Sequence, residues 1–133
     1  MNNRNMTITV SFPGGVGVDA TIGRHTLRTD QPPPVGDDTA PSPFDVFLAS
    51  IATCMGFYAL RFCQERKIGI EGLSLSLDPI RSEDGKRVAI ARVTLSLPKG
   101  FPEKYREAIL RAVDHCSVKR HVLEPPRFEV SIA

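Results

Sequence analysis

The chain has 133 residues, of which 41% are hydrophobic and 24% are charged. This length and composition are typical of a globular protein and predict one domain over residues 1–133. The formal net charge is only +2, and the short basic clusters contain no interleaved aromatic residues, which argues against nucleic-acid binding. Three cysteines are too few for a disulfide framework, and the polar first residues do not resemble a signal peptide. We therefore expect a cytoplasmic protein with free thiols.

The N-terminal part of the chain predicts a meander of three short strands. β-branched residues in partial alternation favour strands over residues 6–12, 16–22 and 24–29. Residues 31–41 are rich in proline, glycine and aspartate. Such a stretch cannot form a helix or an inner strand, so it predicts a loop.

A long helix is predicted to follow this loop. Ser42 suits the N-cap, Pro43 suits the first helical position, and Asp45 lies where a capping-box acid belongs. We expect the helix to run to about residue 67 and to stop at Gly69.

The centre of this helix has no charged side chain between residues 46 and 60. That run is shorter than the roughly 20 apolar residues that span a bilayer, so we expect no membrane insertion. A helix that is apolar on all faces must be buried, and a chain this small can cover it by dimerisation. The sequence therefore predicts a homodimer with this helix at its centre.

The second half of the chain predicts two strands, a helix and a last strand. Alternating apolar residues favour strands over residues 73–77 and 88–97, joined by a turn at residues 83–86. A second helix opens at Pro102 and has an apolar stripe that ends at Cys116, and a short turn or helix follows from Ser117. Residues 128–132 alternate again as a final strand. This order predicts an α+β fold with mostly antiparallel pairing.

Two of the three cysteines are a plausible spatial pair. Cys54 lies in the middle of the uncharged helix, and Cys63 follows nine residues later, about 180° round the helix, so the two cannot serve one site. Cys116 ends a stripe that faces the core, where the first helix should pack. Because free cysteine is among the most buried residue types, inert packing of Cys54 and Cys116 remains open beside a redox pair.

Two other kinds of site fit the sequence less well. A zinc site formed by Cys54, Cys116, His115 and His121 lacks the usual ligand spacing, and neighbouring helical residues diverge by about 100°. A Cys/His hydrolase with His25, His115 or His121 as the base lacks a nucleophile elbow. We therefore expect neither a metal nor a cofactor.

Two stretches resemble the OsmC/Ohr family of osmotically inducible and organic-hydroperoxide-resistance proteins. The first is Ala40-Pro41-Ser42-Pro43-Phe44-Asp45 with the small and apolar residues up to Thr53-Cys54, and the second is His115-Cys116-Ser117-Val118, which is similar to the family's C-x-V motif. The resemblance implies an OsmC-like α+β fold. In that fold antiparallel sheets with strands from both chains wrap two long central helices of an intertwined homodimer.

The resemblance also implies a thiol peroxidase that reduces organic hydroperoxides and, more weakly, hydrogen peroxide in oxidative-stress defence. Cys54 would be the peroxidatic thiol, Cys116 the resolving thiol, and an external dithiol the reductant. The rival hypothesis is a non-catalytic dimer that holds a small apolar ligand between its subunits, with Cys54 lining the pocket.

The chain departs from the hydroperoxide-resistance branch of that family at two positions. The branch has an arginine after a Gly-Gly turn and a glutamate ten residues before the first cysteine, and these positions are Val16 and Phe44 here. A buried thiol needs a nearby cation to ionise. Arg24, Arg28 and Arg120 are the candidates for that cation.

Overall fold

The computed structural model describes residues 6–133, and the polar N-terminal residues 1–5 lie outside the described part. Within residues 6–133 it has two small antiparallel sheets and three α-helices, which confirms the α+β class. The described chain divides into two compact units, residues 6–47 and 48–133, with the boundary inside the first helix. The single domain over residues 1–133 stays a prediction.

The N-terminal unit contains a three-stranded meander formed by β1 (Ile8–Gly14), β2 (Gly17–Ile22) and β3 (His25–Thr29). Both strand pairs are antiparallel. Ile8 lies opposite Ile22, and Ala20 lies opposite Leu27. Because side chains alternate along a strand, this register places the apolar residues on one face of the sheet. The predicted strands are confirmed to within two residues at each end.

The proline-rich loop is organised around the buried carboxylate of Asp30. Its Oδ2 accepts hydrogen bonds from the Thr39 N–H at 3.1 Å, the Thr39 hydroxyl at 2.8 Å and the Asp37 N–H at 3.3 Å. These bonds, led by the Thr39 N–H, hold the pKa of Asp30 at about 2. The stabilisation is therefore complete above the ordinary carboxyl pKa and is lost only as the pH falls towards about 2.

The first helix, α1, spans Pro43–Glu65. The Asp45 N–H donates to Ser42 Oγ at 3.2 Å, which confirms the predicted N-cap. With 23 residues, α1 is long and apolar enough to cross a membrane by length and composition, contrary to the expectation from the uncharged run alone. The core helix of a soluble protein meets the same criteria, so this observation is weak evidence for a membrane span.

The C-terminus of α1 is closed by a lysine instead of the predicted Gly69. Lys67 has φ +55°. The Ile68 N–H donates to the Cys63 carbonyl at 2.8 Å, and the Lys67 N–H donates to the Gln64 carbonyl at 3.1 Å. These are the two bonds of a Schellman motif, in which the left-handed position most often holds glycine. Here the position falls on Lys67 because the next residue, Ile68, packs against the core and so determines where the helix ends.

Replacing this lysine with glycine should stabilise the protein. Lys67→Gly removes the Cβ that is disfavoured at positive φ, and we expect a gain of about 0.5–1 kcal/mol in the free energy of unfolding. Urea denaturation measures the gain. The matched control is Lys99→Gly, at a lysine without positive φ, which should lose a few tenths of a kcal/mol. A loss of stability in Lys67→Gly would contradict the assigned helix end.

The C-terminal unit packs one face of a hairpin against two helices. β4 (Ser74–Arg81) and β5 (Val88–Ser96) pair antiparallel. The turn between them is closed by a hydrogen bond of 2.9 Å from the Ser82 N–H to the Arg87 carbonyl. Alternate residues of the hairpin cover the core, whose buried members come from α1 and the later helices: Ile51, Met55, Ala59, Phe62, Cys63, Ile109, Val113 and Cys116.

The predicted second helix is shorter than expected, whereas the short turn or helix predicted from Ser117 is confirmed. A short 3₁₀ turn (Glu103–Tyr105) leads into α2 (Arg106–Val113), and α3 spans Ser117–Leu123. Cys116 therefore does not end a helical stripe. It lies after α2, at the N-cap of α3.

The predicted last strand, residues 128–132, is wrong for the described chain. Phe128, Val130 and Ile132 are 82%, 95% and 99% exposed, and residues 125–133 are irregular. A strand forms only where its backbone groups find a neighbouring strand. No strand within residues 6–133 pairs with this segment.

Candidate functional site

Two thiols from distant parts of the sequence meet in the C-terminal unit. Cys54 is half-buried in the middle of α1, and Cys116 is 1% exposed at the N-cap of α3. The Cys116 thiol lies 4.0 Å from the Ile51 carbonyl oxygen, and Cys54 Sγ lies 3.9 Å from Ser117 Oγ. The two thiols themselves are within hydrogen-bonding reach of each other. The structure thus brings together the pair that the sequence predicted.

The position of Cys116 is set by the start of α3. The Lys119 N–H donates to Cys116 Sγ at 3.3 Å, so the thiol occupies the place that a serine or aspartate usually takes at an N-cap. The Lys119 ammonium also forms an ion pair with the Asp114 carboxylate across the α2–α3 connection. These contacts hold the second thiol against α1.

The environment of Cys54 favours its thiolate. Burial acts to raise the pKa of Cys54, but hydrogen bonds from the Cys116 thiol, the Val118 and Ser117 N–H groups and the Ser117 hydroxyl together bring it below the ordinary value. Sequence reasoning missed the role of Ser117. Its only signal was the place next to Cys116 in the C-x-V motif.

The other two thiols are held in their neutral form. Burial is the main cause that raises the pKa of Cys116, and donation of its proton to Cys54 adds to the effect. Burial also raises the pKa of Cys63, only partly offset by the charge of Arg66. Cys63 is 0% exposed within the core. The site is therefore asymmetric, with one thiolate-prone cysteine and one protonated neighbour.

The three thiols should differ in their alkylation by iodoacetamide. Only the thiolate reacts. Because the pKa of Cys54 is lowered, its alkylation rate should begin to rise at a lower pH than that of an ordinary thiol. We expect Cys54 to be labelled first at about pH 7, while Cys63 and Cys116 resist labelling even above about pH 9. Mass spectrometry of labelled peptides across the pH range gives the three profiles. In denaturant the profiles should converge, and a native Cys54 profile that matched them would contradict this assignment.

The candidate arginines lie at different places. Arg120 lies on α3 with an exposed side chain, and its backbone N–H donates to the Cys116 carbonyl at 3.1 Å. Arg24 and Arg28 belong to the N-terminal unit, where Arg28 and Val16 line a cavity of about 370 Å³ at the Gly14-Gly15 turn. The main groups that lower the pKa of Cys54 are hydrogen-bond donors of residues 116–118, and none of those donors is a guanidinium.

The histidines do not complete a metal site or a hydrolase site. Within residues 6–133 no group of three or more His, Cys, Asp or Glu side chains could hold a metal ion. The His121 ring Nδ1 is bonded to the Ser117 carbonyl at 2.7 Å, while His25 begins β3 in the other unit. His115 is exposed beside α2. The structure therefore favours the thiol pair over the zinc hypothesis.

The class that fold and site define is thus an α+β protein in which a thiolate-prone cysteine in the middle of the long helix α1 lies beside a buried cysteine at the N-cap of α3. The family described as OsmC-like protein matches residues 36–131 of this chain. The chain therefore belongs to the OsmC-like family, as the sequence resemblance predicted. No curated protein matches the chain in sequence.

Solved structures share this fold. A protein described as an osmotic stress induced and detoxification response protein from Psychrobacter arcticus 273-4 is 21% identical with a TM-score of 0.74, covering 90% of each chain. An OsmC-like protein from Mycoplasma pneumoniae is 18% identical with a TM-score of 0.65, covering 93% of this chain and 91% of its own. A Legionella pneumophila protein, described as organic hydroperoxide resistance protein OsmC, is 17% identical with a TM-score of 0.59, covering 92% and 91%.

Proposed function

We propose that the protein is a cytoplasmic thiol peroxidase that reduces organic hydroperoxides, and hydrogen peroxide more weakly, in oxidative-stress defence. The observation that carries this proposal is the contact between a cysteine of lowered pKa, Cys54, and a protonated cysteine, Cys116. Membership of the OsmC-like family supports it. So does the name of the Legionella neighbour, an organic hydroperoxide resistance protein.

The proposed reaction has three steps. The Cys54 thiolate attacks the distal peroxide oxygen, the O–O bond breaks, and Cys54 becomes a sulfenic acid while the leaving alkoxide takes a proton from solvent to form the alcohol. The Cys116 thiol then condenses with the sulfenic acid, which forms a disulfide and releases water. An external dithiol reduces that disulfide by exchange and returns both cysteines to thiols.

The surroundings of Cys54 fit an organic substrate better than hydrogen peroxide. Cys54 is only partly exposed and packs against an apolar core that includes Ile51 and Met55 on the same helix. An alkyl group placed against such walls is removed from water, which stabilises its complex by roughly 25 cal/mol per Å² of apolar surface. Hydrogen peroxide has no such surface.

A peroxidase assay tests the proposal directly. With dithiothreitol or dihydrolipoamide as reductant, we expect the wild type to consume cumene hydroperoxide faster than hydrogen peroxide at equal concentration. The matched control is Cys63→Ala, which removes a buried thiol of raised pKa and should keep the rate within a few-fold. An equal preference for hydrogen peroxide, or a loss of activity in Cys63→Ala, would contradict the assigned site.

We also propose that the working form is a homodimer built on α1. The outward side of α1 carries Ala49, Thr53 and Phe57, all exposed, together with partly exposed Leu60. An exposed apolar side of this kind on a long helix is typical of a subunit whose interface is uncovered.

The non-catalytic dimer that binds a small apolar ligand would give different results. It would leave organic hydroperoxide unconsumed, and Cys54 would show an ordinary or raised pKa as part of the pocket wall. The lowered pKa of Cys54 is the observation that favours the peroxidase.

A further inference from the structure

The hydroxyl of Ser117 lies close to the thiol that the proposed reaction uses. Ser117 Oγ is 3.9 Å from Cys54 Sγ, and this hydroxyl has no other hydrogen-bond partner within residues 6–133. Both side chains belong to one chain and are partly buried, so their contact does not depend on which side of α1 a second subunit covers. A thiolate has no proton to donate, so the hydroxyl is the donor whenever Cys54 is ionised.

The backbone around this hydroxyl is held in place by several hydrogen bonds. Ser117 opens α3 directly after the N-cap Cys116, and its carbonyl is bonded to the His121 ring Nδ1 at 2.7 Å. The Lys119 N–H donates to Cys116 Sγ at 3.3 Å, which fixes the start of the helix. A donor on such a fixed backbone needs little reorganisation when charge develops beside it.

The distance between the hydroxyl and the thiol leaves room for a peroxide oxygen. A nucleophile that is ready to attack lies about 3–3.5 Å from the atom it attacks. A hydroxyl donates to an oxygen at about 2.7–2.8 Å. These two lengths close a triangle with the 3.9 Å between Ser117 Oγ and Cys54 Sγ, so one oxygen can contact both atoms. The second peroxide oxygen is bonded to the first, and a small shift of the peroxide brings it to the same hydroxyl.

The other donors near Cys54 have different tasks. The Cys116 thiol donates to the Cys54 sulfur itself, and its own sulfur is consumed in the second step of the reaction. The Thr53 hydroxyl, next to Cys54 in sequence, donates to the Ala49 carbonyl at 2.8 Å. Val16, at the position of the expected arginine, has no side-chain donor. Among the described residues around Cys54, the serine hydroxyl is therefore the donor that can serve the peroxide.

From these contacts we propose that Ser117 is a catalytic residue, whose hydroxyl donates a hydrogen bond to the leaving oxygen of the hydroperoxide. This inference rests on the proposed peroxidase function. The electron pair of the Cys54 thiolate forms the S–O bond, the O–O bond breaks, and the electron pair of that bond departs on the alkoxide. The hydroxyl stabilises the alkoxide until solvent protonates it, and Ser117 keeps its own proton throughout. Negative charge thus develops next to a donor that is already in place.

A comparison of two reagents tests the proposal, because both react with the same Cys54 thiolate. Iodoacetamide has no O–O bond, so the ratio of the cumene hydroperoxide rate to the iodoacetamide rate does not depend on the ionised fraction of Cys54. Loss of one buried donor to a developing oxyanion costs about 100- to 1,000-fold in rate. Because Cys54 is only partly buried, water replaces part of that donor, and we expect Ser117→Ala to lower the ratio about 10- to 100-fold. Rapid quenching followed by mass spectrometry measures both rates.

Two further variants separate the hydroxyl from the fold. Ser117→Thr keeps the hydroxyl and should restore the ratio to within a few-fold of the wild type. Ser76→Ala is the matched control, since Ser76 is exposed on β4 between Leu75 and Leu77, which pack against the core, and so faces away from it. It should leave both rates unchanged. Ser117→Ala should fold, because the N-cap is Cys116 and alanine favours a helix.

The possible failures have different consequences. An equal loss of both rates in Ser117→Ala would show that the hydroxyl only favours the thiolate, and would overturn its catalytic role. Unchanged rates in Ser117→Ala would also overturn that role, while the peroxidase function of the wild type would stand. Failure of cumene hydroperoxide to oxidise Cys54 in the wild type would overturn the proposed function and this inference together.

Discussion

The Cys54→Ser variant should consume no organic hydroperoxide, while the wild type should convert to a Cys54–Cys116 disulfide on stoichiometric oxidation. The physical reason is the asymmetry of the site: the pKa of Cys54 is lowered by donors from residues 116–118, while burial raises the pKa of Cys116. A serine hydroxyl at position 54 stays protonated and cannot attack the peroxide. The expected effect is therefore complete loss of turnover.

The Cys116→Ser variant separates the two roles. Cys54 should still react once, and its sulfenic acid should persist because no neighbouring thiol condenses with it. Dimedone should trap that species, and excess peroxide should drive it to the sulfinic acid. Mass spectrometry of the wild type and both variants identifies the disulfide, the dimedone adduct and the sulfinic acid.

Two outcomes would contradict this assignment. Oxidation of Cys116 in Cys54→Ser, at the rate of Cys54 in the wild type, would reverse the roles of the two thiols. No product on either cysteine in the wild type would favour the non-catalytic dimer, and Val16 in place of the expected arginine would account for the missing activation.

The sequence predicted those features that depend on local pattern. The N-cap at Ser42 and the strands of both sheets follow from capping chemistry and alternation. The helix end was predicted to within two residues, but its capping residue was not, because the preference for glycine at that position is only a local rule. The burial of Ile68 next to Lys67 is a tertiary effect that can outweigh the cost of positive φ at a lysine.

The candidate site was predictable in its members but not in its electrostatics. The spacing of the apolar positions placed Cys54 and Cys116 towards a common core, and the structure brings them together. The break after Val113 was not readable from the stripe, because the stripe continues through Cys116 in the sequence. That break turns Cys116 into an N-cap and aims the Ser117 hydroxyl at Cys54.

The final strand shows the limit of pattern reasoning from one chain. Alternation at residues 128–132 specifies two faces but supplies no neighbouring strand, and none within residues 6–133 pairs with this segment. A partner chain is the natural source of such a neighbour. One partner chain would therefore account for both the unpaired segment 128–132 and the exposed outward side of α1.

The Ala49→Arg variant should abolish folding of the protein as a dimer. Ala49 is exposed on α1 in the single chain, and alanine and arginine are both good helix formers, so a monomer would tolerate the change within about 0.5 kcal/mol. In a dimer centred on α1 the same side chain would bury an unpaired charge, at a cost of several kcal/mol or about a thousandfold in the dissociation constant. A monomer therefore predicts little loss of stability in Ala49→Arg, whereas a dimer centred on α1 predicts a large loss.

Sedimentation equilibrium and urea denaturation distinguish these results. We expect the wild type to sediment as a stable dimer at micromolar concentration, and its unfolding midpoint to rise with protein concentration because dissociation and unfolding are linked. The matched control is Glu107→Arg at an exposed position in the first turn of α2, where the loss of a favourable helix-dipole interaction costs less than about 1 kcal/mol and no dimer contact is expected. A folded wild-type monomer at micromolar concentration, with Ala49→Arg as stable as Glu107→Arg, would show that α1 does not form the centre of a dimer.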